Sequence, residues 1–560
     1  MPSFARECST KESKIKIPGS LLVRLREDIA FRRINNGITR LVAHRGILDS
    51  LDPKQKNAAA FLGYLAQWVD IGFGNPALVK NLLARFSKPV RASLPLSDNV
   101  YLRMADCFVA MSEEEFDQAI RHCALVLSLE DEVRDKELLA IANFWIGRCY
   151  RRKGRYDDAL IYTAKGKALA LELKFPKMAS VMQVLESWLV FQEGKPNAAA
   201  KILQEAEAVI LDTDDYVTRG NIQSAYGRIA RRQGKYGLAL EHFAKAIEEY
   251  KKRDIEHRNL ARSLANMAFV KRLIALHLRK KLDHDLACRW KSGRGKPVRS
   301  ASPNHQDRAR FERLREEAFA HLSGAESLYR RRNDHRGLGT IHVNYGCLYL
   351  DNGDLDGAAL QAAEAYRLGE AKRDHILEAR ARILQSAVEN AKFEEQIEER
   401  SDPGHHAQLA ADFARGAVEC AKHTQNHRLL AKAYIWLGLT LSNDFFNDPV
   451  EARQCSDRAT GLLKAQGLDY VWEDLQVLKG KLLRAGSIDS TLREWSQGEV
   501  GDKTFQQITE EFAGIVIPKV WKREGRKVAR VAARLSISPK KVRRILSNLE
   551  LLKNKSQPER

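Results

Sequence analysis

The chain has 560 residues, more than a single hydrophobic core usually serves, so we expect several domains or a repeat array. Apolar residues make up 44% of it, and only 15 prolines and 34 glycines are present, which argues against extended disorder. The 93 Lys/Arg exceed the 72 Asp/Glu, and the resulting net charge of +21 points to anionic partners. Residues 515–560 hold 14 Lys/Arg and 3 Asp/Glu, so the excess is concentrated at the end of the chain.

The first residues contain no apolar run of the length that a signal peptide or a membrane-spanning helix needs. We expect residues 1–19 to form a disordered tail and residues 20–56 to form a pair of helices that caps the first helical repeat. The eight cysteines are scattered, and none belongs to a CxxC motif. This cysteine usage is typical of a reduced, cytoplasmic protein, and we expect no membrane partner.

Alanines and glycines recur at a fixed step of 40 residues in the first half of the chain. Around them, apolar residues recur at i, i+3, i+4 and i+7, which predicts pairs of helices joined by a turn. A small side chain lets the two helices of a pair approach closely, and glycine suits the turn between them. The residues assigned to these two structural roles are Gly154, Ala159, Gly194, Ala199, Gly234, Ala239, Gly353 and Ala358.

These helical pairs resemble the tetratricopeptide repeat (TPR), which has aromatic and small residues at fixed positions over about 34 residues. Tyr226, Gly227, Gly234 and Ala239 fit that pattern best, and the longer step of 40 implies longer helices. We therefore assign residues 57–485 to an all-α, TPR-like α-solenoid. Stacked pairs bury each other's apolar faces and form a superhelix with a concave groove. The resemblance implies that this groove binds a protein or peptide partner.

Two of the helical pairs are split by an insertion. One is interrupted at 281–306 and the other at the sequence SDPGHH, residues 401–406. The segment 279–299, which overlaps the first insertion, carries eight Lys/Arg and two Asp. It lacks the GxxxxGK[ST] pattern of a nucleotide-binding loop. It is either a flexible insertion with solvated charges or a secondary contact with nucleic acid.

Beyond the repeats, residues 486–503 are polar and contain Gly and Ser, which is typical of a linker. Residues 504–553 show three short apolar stripes at helical spacing, and residues 554–560 form a polar tail. Ser538 suits the N-cap of the third helix, and Pro539 suits its first position. The stripes are Phe512, Ile515, Val516, Val520 and Trp521; then Val528, Val531, Ala532 and Leu535; then Val542, Ile545, Leu546 and Leu549.

Three short helices with a tight turn before the last describe a helix-turn-helix. Residues 531–546 resemble the Fis-type helix-turn-helix module of bacterial regulators, with Ser536 in place of the usual turn glycine. The resemblance implies that this domain binds double-stranded DNA through its last helix and acts as a homodimer. The residues expected to contact DNA are Ser538, Pro539, Lys540, Lys541, Arg543 and Arg544, and those expected to contact phosphates are Lys522, Arg523, Arg526, Lys527 and Arg530.

The sequence contains no GxSxG, HExxH or Walker motif, so we expect no enzymatic activity and neither a cofactor nor a metal. Trp145, Trp188 and Trp436 fall on repeat helices, where we expect them in the core. The function these features favour is a DNA-binding transcriptional regulator whose TPR array binds a protein or peptide. The alternative is a non-catalytic TPR scaffold whose basic end docks RNA or an acidic partner.

Overall fold

The structure is a computed structural model that describes residues 16–291, 303–398, 404–463, 470–485, 501–549 and 551–552. Within these ranges the regular structure is α-helical, apart from one short 3-10 helix at Glu130–Glu132, and no strand is present. None of the described helices is long and apolar enough to cross a membrane. The chain divides into two compact units, residues 1–478 and residues 479–560.

Six helices precede the first regular helical pair. They are α1 (Gly19–Ala30), α2 (Ile34–Ala43), α3 (Arg45–Ser50), α4 (Ala58–Ile71), α5 (Pro76–Ala84) and α6 (Lys88–Ser93). Helix α4 is buried on nearly all sides because its sequence, AAAFLGYLAQWVDI, is apolar on almost every face. The segment expected to form one pair of capping helices thus forms three, and residues 57–95 form single helices because Pro76 and Pro89 each begin a new one.

Eight helical pairs and one further helix complete the array, so the predicted all-α, TPR-like solenoid is confirmed. The pairs are α7 (Leu96–Ser112) with α8 (Phe116–Ser128), α9 (Glu137–Lys153) with α10 (Tyr156–Glu172), α11 (Pro176–Gln192) with α12 (Pro196–Ile210), α13 (Tyr216–Arg232) with α14 (Tyr236–Arg253), α15 (Arg258–Lys291) with α16 (Pro303–Arg331), α17 (His335–Asp351) with α18 (Leu355–Ala371), α19 (His375–Glu398) with α20 (Gly404–Lys422), and α21 (His427–Leu441) with α22 (Pro449–Leu463). Helix α23 (Tyr470–Ala485) comes after them.

The repeated small residues occupy two kinds of position in these pairs. The glycines lie one or two residues after the end of the first helix of a pair and have a positive φ, which a glycine adopts without steric cost. Their φ values are 78° at Gly154, 87° at Gly194, 73° at Gly234 and 78° at Gly353. The alanines five residues later are completely buried where the second helix crosses the first: Ala159, Ala199, Ala239 and Ala358.

The helices of the two split pairs run further into the insertions than the sequence suggests. Helix α15 continues to Lys291 and α16 begins at Pro303, so the backbone is helical over much of the expected loop at 281–306. In the second split pair, α20 begins at Gly404, inside SDPGHH. The remaining parts of both insertions, 292–302 and 399–403, lie outside the described residues.

The array curves so strongly that a later superhelical turn contacts an earlier one. From α9 to α21, each odd-numbered helix contacts the next odd-numbered helix, so these helices line the inner surface of the superhelix. The backbone N–H of Gln425 donates to the carbonyl of Gly154 at 2.8 Å, and the backbone N–H of Asp157 donates to Oε1 of Gln425 at 2.8 Å. This contact joins segments that are far apart in sequence and encloses the inner surface between them.

Candidate functional site

In the described part of the second unit, α23 is followed by three helices, α24 (Phe505–Arg523), α25 (Val528–Leu535) and α26 (Pro539–Asn548). Helix α24 begins with a capping box, in which Thr504 and Gln507 each accept a backbone N–H of the other. Gly525 and Arg526 then take positive φ values of 64° and 61° and end the helix. The three helices share one small core, formed by Ile517, Trp521, Val531, Ala532, Val542, Ile545 and Leu546.

The apolar stripe expected on the first of these helices is partly wrong. Trp521 is buried as expected, but Phe512 is 48% exposed, and Ile517 is buried instead. The reason is helical spacing: Ala513, Ile517 and Trp521 are four residues apart and so share the face that packs against α25 and α26.

The turn between α25 and α26 is three residues long. Ser536 has φ 52° and ψ 39°, the left-handed conformation that glycine adopts most readily. A serine in that conformation costs about 1 kcal/mol. The N–H of Ile537 donates to the carbonyl of Ala532 at 3.1 Å, and Ser538 caps α26 by accepting the N–H of Lys541 at 3.2 Å. Pro539 occupies the first position of the last helix.

The residues expected to contact DNA lie along the start and outer side of this last helix. Ser538, Pro539, Lys540 and Arg543 are exposed, and Lys541 is half-buried. Arg544 differs from them because it forms an ion pair with Glu510 of α24. Among the residues expected to contact phosphates, the exposed ones are Lys522, Arg526, Lys527 and Arg530, whereas the side chain of Arg523 lies outside the described part.

The inner surface of the array carries a second concentration of positive charge, which we call the arginine cluster: Arg151 on α9, Arg228 on α13 and Arg262 on α15. All three side chains are half-buried. Within the described part of the chain, the Nε atom of each is buried without a hydrogen-bond partner. Burial and the positive charge of Arg262 lower the pKa of Arg228 to about 9, and the same two causes lower the pKa of Arg151.

Asn221 supplies the arginine cluster with its main acceptor. Its Oδ1 atom receives hydrogen bonds from Arg262 at 2.8 Å, from the hydroxyl of Tyr250 at 2.9 Å and from the amide of Asn259 at 3.1 Å. An amide oxygen has only two lone pairs, so three donors compete for them. Donors therefore outnumber acceptors at this place.

The arginine cluster also contacts an aromatic side chain. The guanidinium of Arg151 lies over the ring of Trp188, 5.2 Å from its centroid. The rings of Trp188 and Tyr156 pack edge to face, with 5.2 Å between their centroids. The core position expected for Trp188 is met in part: its ring is half-buried and packs against the core cluster that contains Leu185 and Leu189, whereas Trp145 is fully buried.

A different group of charges connects two turns of the superhelix. We call it the closing cluster: Glu114, Arg152, His335, Arg336 and Asp374. His335 contacts Glu114 through Nδ1 and Asp374 through Nε2, the latter at 3.1 Å. Arg336 binds Asp374 with both nitrogens of its fork, and Arg152 pairs with Glu114. Every cation of this cluster thus has a carboxylate partner.

The closing cluster changes the pKa of its members in opposite directions. Burial disfavours the charged form of His335, but the hydrogen bonds to Asp374 and Glu114 outweigh it and raise the pKa of His335. Burial likewise disfavours the Asp374 carboxylate, but the charge of Arg336 and the bonds from His335 and Arg336 lower the pKa of Asp374. Both shifts favour the ion-paired state.

Sequence reasoning missed the arginine cluster because its charges looked like ordinary solvated helix faces. One partial signal was available. The pattern R-x-x-R-R-x-G occurs at 148–154 and again at 228–234, two repeat steps later. Equivalent positions of different repeats face the same side of a solenoid, so this recurrence indicates a surface rich in arginine. It aligns Arg151 with Arg231 and not with Arg228, so it does not identify the members of the arginine cluster.

No family model matches the chain, and no curated protein matches it. Solved structures with a similar fold include a Rap protein in complex with the Competence and Sporulation Factor, with 13% identity, 72% of this chain and 97% of that chain covered, and a TM-score of 0.49. The apo quorum sensor NprR from B. thuringiensis has 10% identity, covers 79% and 98% and has a TM-score of 0.40. The human IFIT1 dimer with m7Gppp-AAAA has 12% identity, covers 84% and 94% and has a TM-score of 0.44. The function of this chain therefore has to come from its own residues.

Proposed function

We propose that the chain is a DNA-binding transcriptional regulator in which the TPR-like array binds a protein or peptide partner and the C-terminal unit contacts DNA. The observation that carries the proposal is the geometry of α25, its three-residue turn and α26. The turn has its left-handed residue at Ser536 and its N-cap at Ser538. Together with three short helices around one core, this arrangement is typical of a helix-turn-helix.

The charges on the last helix suit the major groove of DNA. Lys540, Lys541 and Arg543 have no ion-pair partner in the part of the chain that the structure describes. Long cations on the N-terminal half of such a helix reach base edges or phosphates. In this proposal Arg544 exchanges Glu510 for a phosphate, and Lys522, Arg526, Lys527 and Arg530 hold the backbone on either side.

A second copy of the chain fits this proposal. Helix α24 exposes Phe505 by 85% and Phe512 by 48%, although both are large apolar residues. Exposed apolar faces of this kind are commonly covered by a partner. A homodimer formed through α24 presents two last helices to successive major grooves, so we expect two half-sites about 10 base pairs apart.

The array supports the receptor half of the proposal. Its inner surface is continuous from α9 to α21, and its polar and charged side chains come from several repeats. Concave surfaces of stacked helical pairs bind extended peptides or partner helices. In this proposal the array binds its partner without chemical turnover.

The test is a sequence selection from random duplex DNA with the full-length chain, followed by titrations of the enriched site at several salt concentrations. We expect enrichment of paired half-sites. Replacing Lys540 and Lys541 by Ala should weaken binding and lower the salt slope by about one for each phosphate that the variant no longer neutralises.

The matched control replaces two exposed lysines of the array, Lys201 and Lys245, by Ala and removes the same charge. It should leave both the enriched sequence and the affinity unchanged. If no sequence is enriched, or if the control weakens binding as much as the α26 variant, the regulator proposal is wrong. Equal binding to RNA and to acidic polymers would instead favour the scaffold whose basic end docks polyanions.

A further inference from the structure

The arginine cluster differs in its partners from three other arginines of the inner surface. Those three form forked pairs with carboxylates: Arg148 with Asp70, Arg272 with Asp351 and Arg336 with Asp374. Such pairs offset the cost of moving a guanidinium out of water. None of the three residues of the arginine cluster forms an ion pair with a described carboxylate.

The three arginines of the cluster come from separate repeats but act on one another. Arg228 and Arg262 lie on the contacting inner helices α13 and α15, and Arg262 bonds Asn221 of α13. The positive charge of Arg262 lowers the pKa of Arg228 and also that of Arg151, three helical pairs earlier. Like charges in a region of reduced solvent raise the free energy of the empty array. An anion between them would remove that repulsion.

The hydrogen-bond inventory of the arginine cluster independently indicates a missing acceptor. Three Nε donors have no described partner, and three further donors share the single Oδ1 atom of Asn221. An oxyanion brings several lone pairs to one place and binds guanidinium forks in a planar, two-point manner. The geometry and the charge therefore require the same kind of ligand.

We propose that the arginine cluster binds a phosphate group of a ligand that enters the groove of the array. Three converging cations favour a multiply charged oxyanion over a single carboxylate. Trp188 lies under Arg151, and Asn221, which also accepts the hydroxyl of Tyr250, accepts a hydrogen bond from Arg262. This inference deepens the receptor half of the proposed function and rests on it, but it does not depend on DNA binding.

The first experiment titrates the full-length chain with pyrophosphate by calorimetry and follows the thermal midpoint, with sodium chloride at matched ionic strength as the reference. We expect saturable binding and a rise of the midpoint that chloride does not reproduce. Arg228→Gln and Arg262→Gln should each weaken binding by roughly 10-fold or more, since each removes a charge-assisted hydrogen bond. The control Lys201→Gln, on the exposed side of α12, should bind as the parent does.

A stability readout separates a binding role from a structural one. If the arginines only hold the array together, Arg228→Gln lowers the thermal midpoint without ligand. If the arginines form an anion-binding site, Arg228→Gln leaves the thermal midpoint of the ligand-free array unchanged or raises it, because the change removes repulsion between like charges. Asn221→Asp offers a second, nearly isosteric variant that places a carboxylate among the arginines, and it should abolish the response to pyrophosphate while the chain stays folded.

Three outcomes overturn the inference: binding that chloride reproduces, binding that Arg228→Gln and Arg262→Gln leave intact, or a midpoint that both changes lower. Replacing Lys540 and Lys541 by Ala should not alter the pyrophosphate response. A response that disappears in that variant belongs to the C-terminal unit and also overturns the inference. Arms with inorganic phosphate and with a phosphoserine peptide then distinguish a free ligand from one carried on a peptide. Loss of sequence-specific DNA binding alone leaves this inference standing.

Discussion

The closing cluster and the arginine cluster lie in the same array and are built from the same residue type, but they differ in partners. In the closing cluster, Asp374 and Glu114 neutralise Arg336, Arg152 and His335. In the arginine cluster, Arg262 donates to the amide oxygen of Asn221, and none of the three arginines forms an ion pair with a described carboxylate. The first arrangement fixes the superhelix in one closed form. The second leaves the positive charge of three arginines without a carboxylate. On one inner surface, the paired charges therefore hold the array together, whereas the unpaired ones can bind a ligand.

The largest effect is expected when the carboxylate of Asp374 is removed from the closing cluster. Asp374→Asn keeps the shape of the side chain and the N-cap of α19, where Leu377 donates to Asp374 at 3.2 Å. It removes the carboxylate that pairs with Arg336 and leaves His335 with Glu114 alone, and we expect a loss of about 3 kcal/mol. The reporter is native-state hydrogen exchange at the backbone amides of Gln425 and Asp157, which bridge the two turns.

The control for that change is Asp354→Asn. Asp354 caps α18 by accepting the N–H of Gly357 at 2.8 Å, so the substitution and the capping role are the same. Asp354 is exposed and forms no ion pair with a described residue. We expect a change of less than about 0.5 kcal/mol. Equal effects of the two substitutions would mean that the closing cluster contributes only a helix cap.

The reverse exchange should have the opposite sign. Asn221→Asp adds a carboxylate to the arginine cluster, next to Arg262 at 2.8 Å and Tyr250 at 2.9 Å. We expect the ligand-free array to gain about 1–2 kcal/mol, because a hydrogen bond to a charged group replaces one to a neutral amide. Hydrogen exchange of α13 and α15 measures it. A loss of protection there would show that the cluster already has the charge balance it needs.

The smallest effect comes from pH. Because the pKa of His335 is raised on folding, its contribution is complete below the pKa of an unfolded histidine, about 6.5, and is lost as pH rises through the folded value. Stability of the inter-turn contact should therefore fall as the pH rises above about 6.5, with a slope of at most about 1.4 kcal/mol per pH unit for one proton. His335→Gln should remove this fall.

Other histidines also change the stability with pH, so the quantity to measure is the difference between the pH profiles of the parent protein and His335→Gln. Burial lowers the pKa of His122, His242 and His321, so their contributions grow as pH rises and oppose that of His335. Subtracting the pH profile of His335→Gln from that of the parent isolates the closing cluster. Identical slopes for the two proteins would mean that His335 has the same pKa in the folded array as in the unfolded chain.

Several features of the fold were predictable because they depend on short spacings. Gly154 and Ala159 recur every 40 residues, and this local regularity was enough to place a turn and a helix crossing. The failures have equally local causes. Phe512 was assigned to the core, but the four-residue spacing of Ile517 and Trp521 decides which face of α24 is buried. The insertion at 281–306 was expected to be a loop, but α15 continues to Lys291 because nothing in its sequence ends it earlier.

The two candidate sites also differ in how far they could be predicted from the sequence. Lys540, Lys541 and Arg543 lie within one helix, so their common exposure follows from helical periodicity alone. Arg151 and Arg262 lie three helical pairs apart, and no local pattern says that they meet. The repeated R-x-x-R-R-x-G pattern indicates a shared face, but not the distance across it.

By itself, the sequence determined that this chain stacks helical pairs and ends in a small, basic three-helix unit, because periodicity, turn residues and caps act over a few residues. Only the tertiary structure decided how tightly the stack curves. That curvature is the sum of small rotations between neighbouring pairs, each set by side-chain packing. It alone brings Gln425 onto Gly154, closes the superhelix and gathers arginines of separate repeats around one place for an anion.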